Sequence, residues 1–214
     1  FEACTGCPAQ PFRALGAFNR IGLDARPGDV MNPVKQLLYE DPLMPLFEAD
    51  FAGLEPEAHY RVLAARYARY AEENPAFADF FGFYAQLGRA VAAKCAYRSA
   101  AAPAVRRGDR RADVLPLCDA CIEEMRALER CWRALWMNSL RPFGFEVIDI
   151  RLSAQIGRLE TARARIGAFA QGRLDDIPEL TEEKLLYLKR ADGTLANLNI
   201  WSAYVSPTNV SWSF

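Results

Sequence analysis

Histidine is all but missing from this chain: His59 is the only one in 214 residues. It stands in Glu57-Ala-His-Tyr60, inside a helical pattern, with no second imidazole to share a metal or to activate a nucleophile, and reads as a surface or half-buried residue. A Gly-rich phosphate loop is also lacking; Gly6, Gly16, Gly22 and Gly28 are scattered, and none opens a helix after a strand. Ile and Val together number 17 against 35 Ala, a scarcity of β-branched residues that favours helix over sheet. No apolar run approaches the roughly 18–20 residues of a membrane span, and no signal-peptide pattern opens the chain, so no membrane partner is expected. Charge of one sign is not in excess: 26 Lys and Arg face 27 Asp and Glu. A near-zero net charge argues against a general binder of nucleic acid. Methionine is absent before Met31, and from this the chain is expected to be a piece of a longer polypeptide.

With 51% hydrophobic and 25% charged residues, the chain has the material for a core. Residues 1–33, rich in Gly and Pro, read as short helical turns joined by loops. Val34-Lys-Gln-Leu-Leu-Tyr39 is an apolar run compatible with strand or helix, stopped by Asp41-Pro42. From Glu55 the pattern is helical. Tyr60, Leu63, Tyr67 and Tyr70 share a face until Asn74-Pro75. A second helix carries Phe77, Phe80, Phe81, Tyr84, Leu87, Val91 and Cys95 at spacings of three and four, with Pro103 as its stop. The connector Arg106-Arg-Gly-Asp-Arg-Arg111 reads as a solvated loop. Asp113 is placed to cap a third helix, running to about Asn138. A fourth spans about Asp149 to Gln171, with Gly172 just past its end. Thr181–Leu188 is one further short helical prospect. The fold class is therefore all-α: an antiparallel bundle of about four long helices, an irregular N-terminal segment and an extended aromatic C-terminal tail.

Six cysteines include two CxxC pairs, Cys4-Thr-Gly-Cys7 and Cys118-Asp-Ala-Cys121. Such pairs suit a zinc site or a redox couple. The second pair also fits a heptad seam, Val114, Cys118, Cys121, Met125, Leu128, Trp132 and Leu135, in which cysteine packs as a small hydrophobe. The seam reading expects reduced structural thiols in a reducing, cytoplasmic compartment, with no metal and no cofactor.

Two stretches carry a family likeness: Asn32-Pro-Val-Lys-Gln-Leu-Leu-Tyr-Glu-Asp-Pro-Leu-Met-Pro-Leu-Phe-Glu48, and Trp136 to Ala162 with Arg141-Pro-Phe-Gly-Phe-Glu-Val-Ile-Asp-Ile-Arg151. They resemble glycoside hydrolase family 20, in the bacterial-type branch of exo-β-N-acetylhexosaminidases that ends in a helical domain. The resemblance implies that residues 1–54 continue from the end of a catalytic barrel region and that 55–214 form the helical C-terminal domain. It also implies a mechanism in which the substrate's acetamido oxygen attacks the anomeric carbon, with an adjacent Asp-Glu pair orienting the acetamide and protonating the leaving group. The adjacent acidic pairs here are Glu40-Asp41, Glu72-Glu73, Glu123-Glu124, Asp175-Asp176 and Glu182-Glu183, none in that order. No catalytic residue is therefore assigned. By the resemblance, the partners are the barrel of the same polypeptide, a second subunit in a homodimer, and terminal N-acetylhexosamine glycans through the full-length enzyme.

If Leu37–Tyr39 is the barrel's last strand, Tyr39, Glu40 and Asp41 sit at its active end and contact a terminal sugar. Phe143, Phe145, Trp201 and Trp212 are expected at the contact with the barrel, while Arg141, Glu146, Asp149 and Arg151 tie the loop to helix ends. A free-standing helical module that binds zinc or another ligand is the alternative. An adaptor that takes a partner helix along Phe77–Val91 is a third reading, which requires that stripe to be open.

Overall fold

A computed structural model describes residues 1–21, 32–47, 49–110 and 113–183 of the chain. Trp201, Trp212 and the rest of the tail lie outside the described residues, as does most of the helical prospect at 181–188. Every regular element among the described residues is helical: α1 Glu2–Thr5, α2 Gln10–Arg13, α3 Pro33–Tyr39, α4 Pro56–Glu73, α5 Ala78–Arg106, α6 Val114–Ser139, α7 Phe145–Ala170 and α8 Pro178–Thr181, with short 3-10 turns between some of them. The four long helices are consecutive antiparallel neighbours, α4 on α5, α5 on α6 and α6 on α7. The all-α expectation holds.

The seam explains the α6 packing. Val114, Cys118, Cys121, Met125 and Leu128 are buried, and Trp132 and Leu135 pack at its edge. Asp113 does occupy the position before α6, but its side chain makes no capping hydrogen bond. Between α4 and α5 the backbones approach closely at Gly88, where an added Cβ would lie 3.0 Å from Ala64 Cβ, Ala64 N and Tyr60 O. A glycine there allows the approach.

Pro103 does not end the second long helix. It sits inside α5, which continues to Arg106. The missing proline N–H costs one rung, but Ala101, Ala102 and Ala104 are buried around it and hold the last turn in the core. The true stop is Gly108, at φ 66°, with the Asp109 N–H donating to Ala104 O at 2.9 Å. The fourth long helix begins at Phe145 rather than near Asp149, because Gly144 at φ 97° reverses the chain just before it.

The N-terminal segment packs against the long helices. Phe12 lies 5.2 Å from Phe77 and 5.1 Å from Phe81, and Phe18 lies 5.4 Å from both Tyr67 and Tyr84, ring centre to ring centre. The α4 tyrosines secure this cover through their hydroxyls: Tyr60 donates to Phe18 O (2.9 Å), Tyr67 to Pro11 O (3.0 Å) and Tyr70 to Gln10 Oε1 (2.8 Å). His59 joins them, its Nε2 2.9 Å from Ala17 O. The aromatic stripe proposed for an adaptor is therefore covered over Phe77, Phe80 and Phe81 by Phe12 and touched at Tyr84 by Phe18. One hydrophobic cluster runs from Cys7 to Leu180.

Candidate functional site

Tyr39, Glu40 and Asp41 come at the end of α3, a helix and not a strand. Pro33 in its first turn and the buried face Val34, Leu37 and Leu38 settle the conformation that the sequence leaves open. This end of α3 is inserted between α5 and α7, and its two carboxylates point inward, both fully buried. Glu40 pairs through Oε1 with Arg98 of α5, and its Oε2 accepts the Phe47 N–H at 3.2 Å. Asp41 accepts the Leu43 and Met44 N–H groups at 2.8 and 2.9 Å and pairs with Arg158 of α7 at 2.7 Å. The strand geometry on which the sugar contact depends is thus not present in this chain.

At the centre of the same network is Lys94, a fully buried lysine that periodicity does not single out. Its ammonium donates to Leu38 O (2.8 Å), Glu40 O (2.5 Å) and Gln155 Oε1 (2.7 Å). Gln155 Nε2 donates in turn to Tyr39 O at 2.7 Å. The lysine therefore takes up carbonyls at the α3 C-terminus, where a cation is favoured, and links three helices. Burial pushes its pKa down to about 8, against the pull of nearby Glu40. Arg151 places its guanidinium 4.0 Å from the Tyr39 ring centre. Only a sequence hint pointed here: Lys94 falls between Val91 and Cys95 on an apolar face, four residues before Arg98. The network is a lock between elements, with Lys94, Glu40 and Asp41 fully buried and Arg158 reaching in from the surface.

Three of the thiols, Cys95, Cys118 and Cys121, serve as core packing. All six cysteines are free, and Cys95, Cys118 and Cys121 are buried. Burial raises the pKa of each of these three to about 12, which disfavours the thiolate that a metal ligand or a nucleophile requires. Among the described residues no cluster of His, Cys, Asp and Glu is arranged to hold a metal ion, and no helix is long and apolar enough to cross a membrane.

A different kind of surface appears where α6 turns into α7. Met137, Leu140, Phe143, Val147 and Ile150 are all exposed, Phe143 at 83%. They make up five of the seven exposed large hydrophobics among the described residues, the others being Phe1 and Val62. Phe143 and Phe145 have opposite fates: Phe143 projects into solvent, whereas Phe145 is buried against Trp136, ring centres 5.8 Å apart. The turn itself is firm. Trp136 Nε1 donates to Arg141 O (2.8 Å), Glu146 accepts the Gly144 N–H (2.7 Å) and Arg133 pairs with Asp149 (2.5 Å). The expected ties by Glu146 and Asp149 are thus present, whereas Arg151 is directed to Tyr39.

Beside this turn a groove of about 600 Å³ opens between the 3-10 turn Ala14–Asn19, α3, α5, α6 and α7. Its aromatic wall consists of Phe18, Tyr39, Phe83, Tyr84 and Trp132. None of the described residues that line it is acidic.

The geometry therefore offers internal charge locks, an exposed apolar face and a groove, but no acid–base pair open to a substrate among the described residues. The profile of the Glycoside Hydrolase 20C C-terminal domain matches residues 10–199, nearly the whole chain and both stretches on which the resemblance was based. No curated protein matches the chain. The chain belongs to the Glycoside Hydrolase 20C C-terminal domain family and is a domain of a family 20 glycoside hydrolase.

Proposed function

We propose that this chain is the non-catalytic, helical C-terminal domain of an exo-β-N-acetylhexosaminidase, and that it docks through the α6–α7 turn onto the catalytic barrel of the same polypeptide. The observation that carries the reading is the exposed apolar patch from Met137 to Ile150, on a turn held rigid by its own hydrogen bonds. Exposed apolar surface on a firm scaffold favours association, because docking removes it from water without a large ordering cost. Phe143 is the anchor, and Leu140, Val147 and Ile150 surround it. Trp201 and Trp212 are proposed as further contacts on sequence grounds alone. Hydrolysis of terminal N-acetylhexosamines then belongs to residues outside this chain. The protonated, buried thiols fit a reducing, cytoplasmic setting.

The test is Phe143→Asp in the full-length enzyme. A charge at the centre of a docked apolar face weakens the association by about 2 kcal/mol or more. The expected result is that a single cooperative thermal transition splits into two, while the isolated 214-residue chain carrying the same change keeps its own melting temperature. An unchanged full-length transition contradicts the assignment. A wild-type enzyme that loses its dimeric state on the same substitution places the patch at a subunit contact instead.

A further inference from the structure

We infer that the groove bordered by Trp132 and Tyr84 is a glycan-binding site, which takes an uncharged stretch of the oligosaccharide presented to the full-length enzyme; the sugar class rests on the glycosidase reading above. A pyranose ring has a flat C–H face that packs on an aromatic side chain and an edge of hydroxyls that both donate and accept hydrogen bonds. The groove supplies both kinds of partner. Trp132 and Tyr84 keep part of their rings exposed. Their planes are held by ring contacts with Phe83, 5.0 Å from each ring centre, and for Tyr84 also with Phe18 at 5.4 Å. Such preset orientation lowers the ordering cost of binding. Exposed Asn19, among the groove's lining residues, offers amide donors and an acceptor.

The volume of about 600 Å³ falls within the range of ligand sites, and apolar walls with a few polar groups are their usual make-up. Among the described residues the lining holds no carboxylate with which to cleave a glycosidic bond, so the role assigned to the groove is retention. On α7 the groove takes Ile148 and Arg151, whereas the apolar face is built by Val147 and Ile150. Val147 and Arg151 stand one turn apart on α7, so the two surfaces adjoin along that helix. A second foothold on a long glycan raises the local concentration of its reactive end.

The experiment is calorimetric titration of the 214-residue chain with N-acetylated chitotetraose, followed by Trp132→Ala and by Asn19→Ala, the latter an exposed lining position whose change leaves the core intact. The wild-type chain binds, Trp132→Ala weakens binding about tenfold, and Asn19→Ala weakens it by a smaller factor. In the full-length enzyme the same variants raise KM for chitotetraose and leave KM for a chromogenic monosaccharide substrate unchanged. No binding by the wild-type chain, or full affinity in both variants, overturns the proposal. If the full-length enzyme cleaves the chromogenic substrate while the chain binds no oligosaccharide, only the groove assignment fails. If it cleaves neither substrate, the glycosidase reading fails.

Discussion

Lys94 and Glu40 show how a few buried charges hold elements together that apolar packing alone leaves loosely registered. Arg98 is 12% exposed, its Nε has no hydrogen-bond partner, and its charge leans on Glu40. Replacing Glu40 by Gln leaves a nearly buried guanidinium uncompensated, a change expected to cost about 3 kcal/mol in urea unfolding. Adding Arg98→Met to that variant should restore part of the loss, because the stranded charge is then gone. A second substitution that merely adds to the first would show that the pair is not coupled. The pair was legible only as an acidic dipeptide before a proline; that its carboxylates face inward follows from tertiary packing, on which single-chain periodicity is silent.

The titratable groups of the same core set an alkaline limit. Lys94 binds its proton less tightly in the folded protein than in the unfolded chain, so its contribution rises with pH from about 8 to its ordinary value of 10.5. Cys95, Cys118 and Cys121 act oppositely. Unfolded, they lose protons near their ordinary value of 9.0, whereas the folded protein retains them to about 12, and stability is lost as pH rises through that window. Three groups outweigh one, and the raised values of Tyr60, Tyr67 and Tyr97 act in the same sense at higher pH. The urea midpoint should therefore fall between about pH 9 and pH 10.5, with these thiols inert to a thiol reagent until the protein unfolds. A midpoint that climbs across that range would contradict the burial of the thiols.

Among the elements, the long helices were the most legible, because each has a sustained apolar face. The α6 seam and the tyrosine face of α4 appear in the structure at their expected positions. Where the reading failed, a local rule yielded to the core: α5 carries Pro103 because buried alanines surround it, and α3 is helical because Pro33 and a buried face act together. The α4–α5 contact gives a direct check on that packing. Gly88→Leu forces a side chain into a space already bounded by Ala64 and the Tyr60 carbonyl at 3.0 Å. Overpacking of this kind is expected to cost about 2–3 kcal/mol, visible as a fall in melting temperature. An unchanged melting temperature would mean that the two helices are free to move apart.

For the whole molecule, the covered stripe, the inward carboxylates and the exposed apolar α6–α7 turn support the proposal of a scaffold for a catalytic centre built elsewhere in the enzyme. The sequence disclosed this in part: no Asp-Glu pair stands in the required order, and the stretch around Phe143 carries the family likeness. It did not disclose which of Phe143 and Phe145 faces out, because both belong to one turn and Gly144 alone decides the direction of each. Nor did it foreshadow the groove, which five separate segments assemble.

The most direct measurement is turnover of a chromogenic N-acetylglucosaminide by the purified 214-residue chain beside the full-length enzyme at equal molar concentration. The account predicts hydrolysis by the full-length enzyme and none above background by the chain; a chain that hydrolyses the substrate at a comparable rate would contradict it.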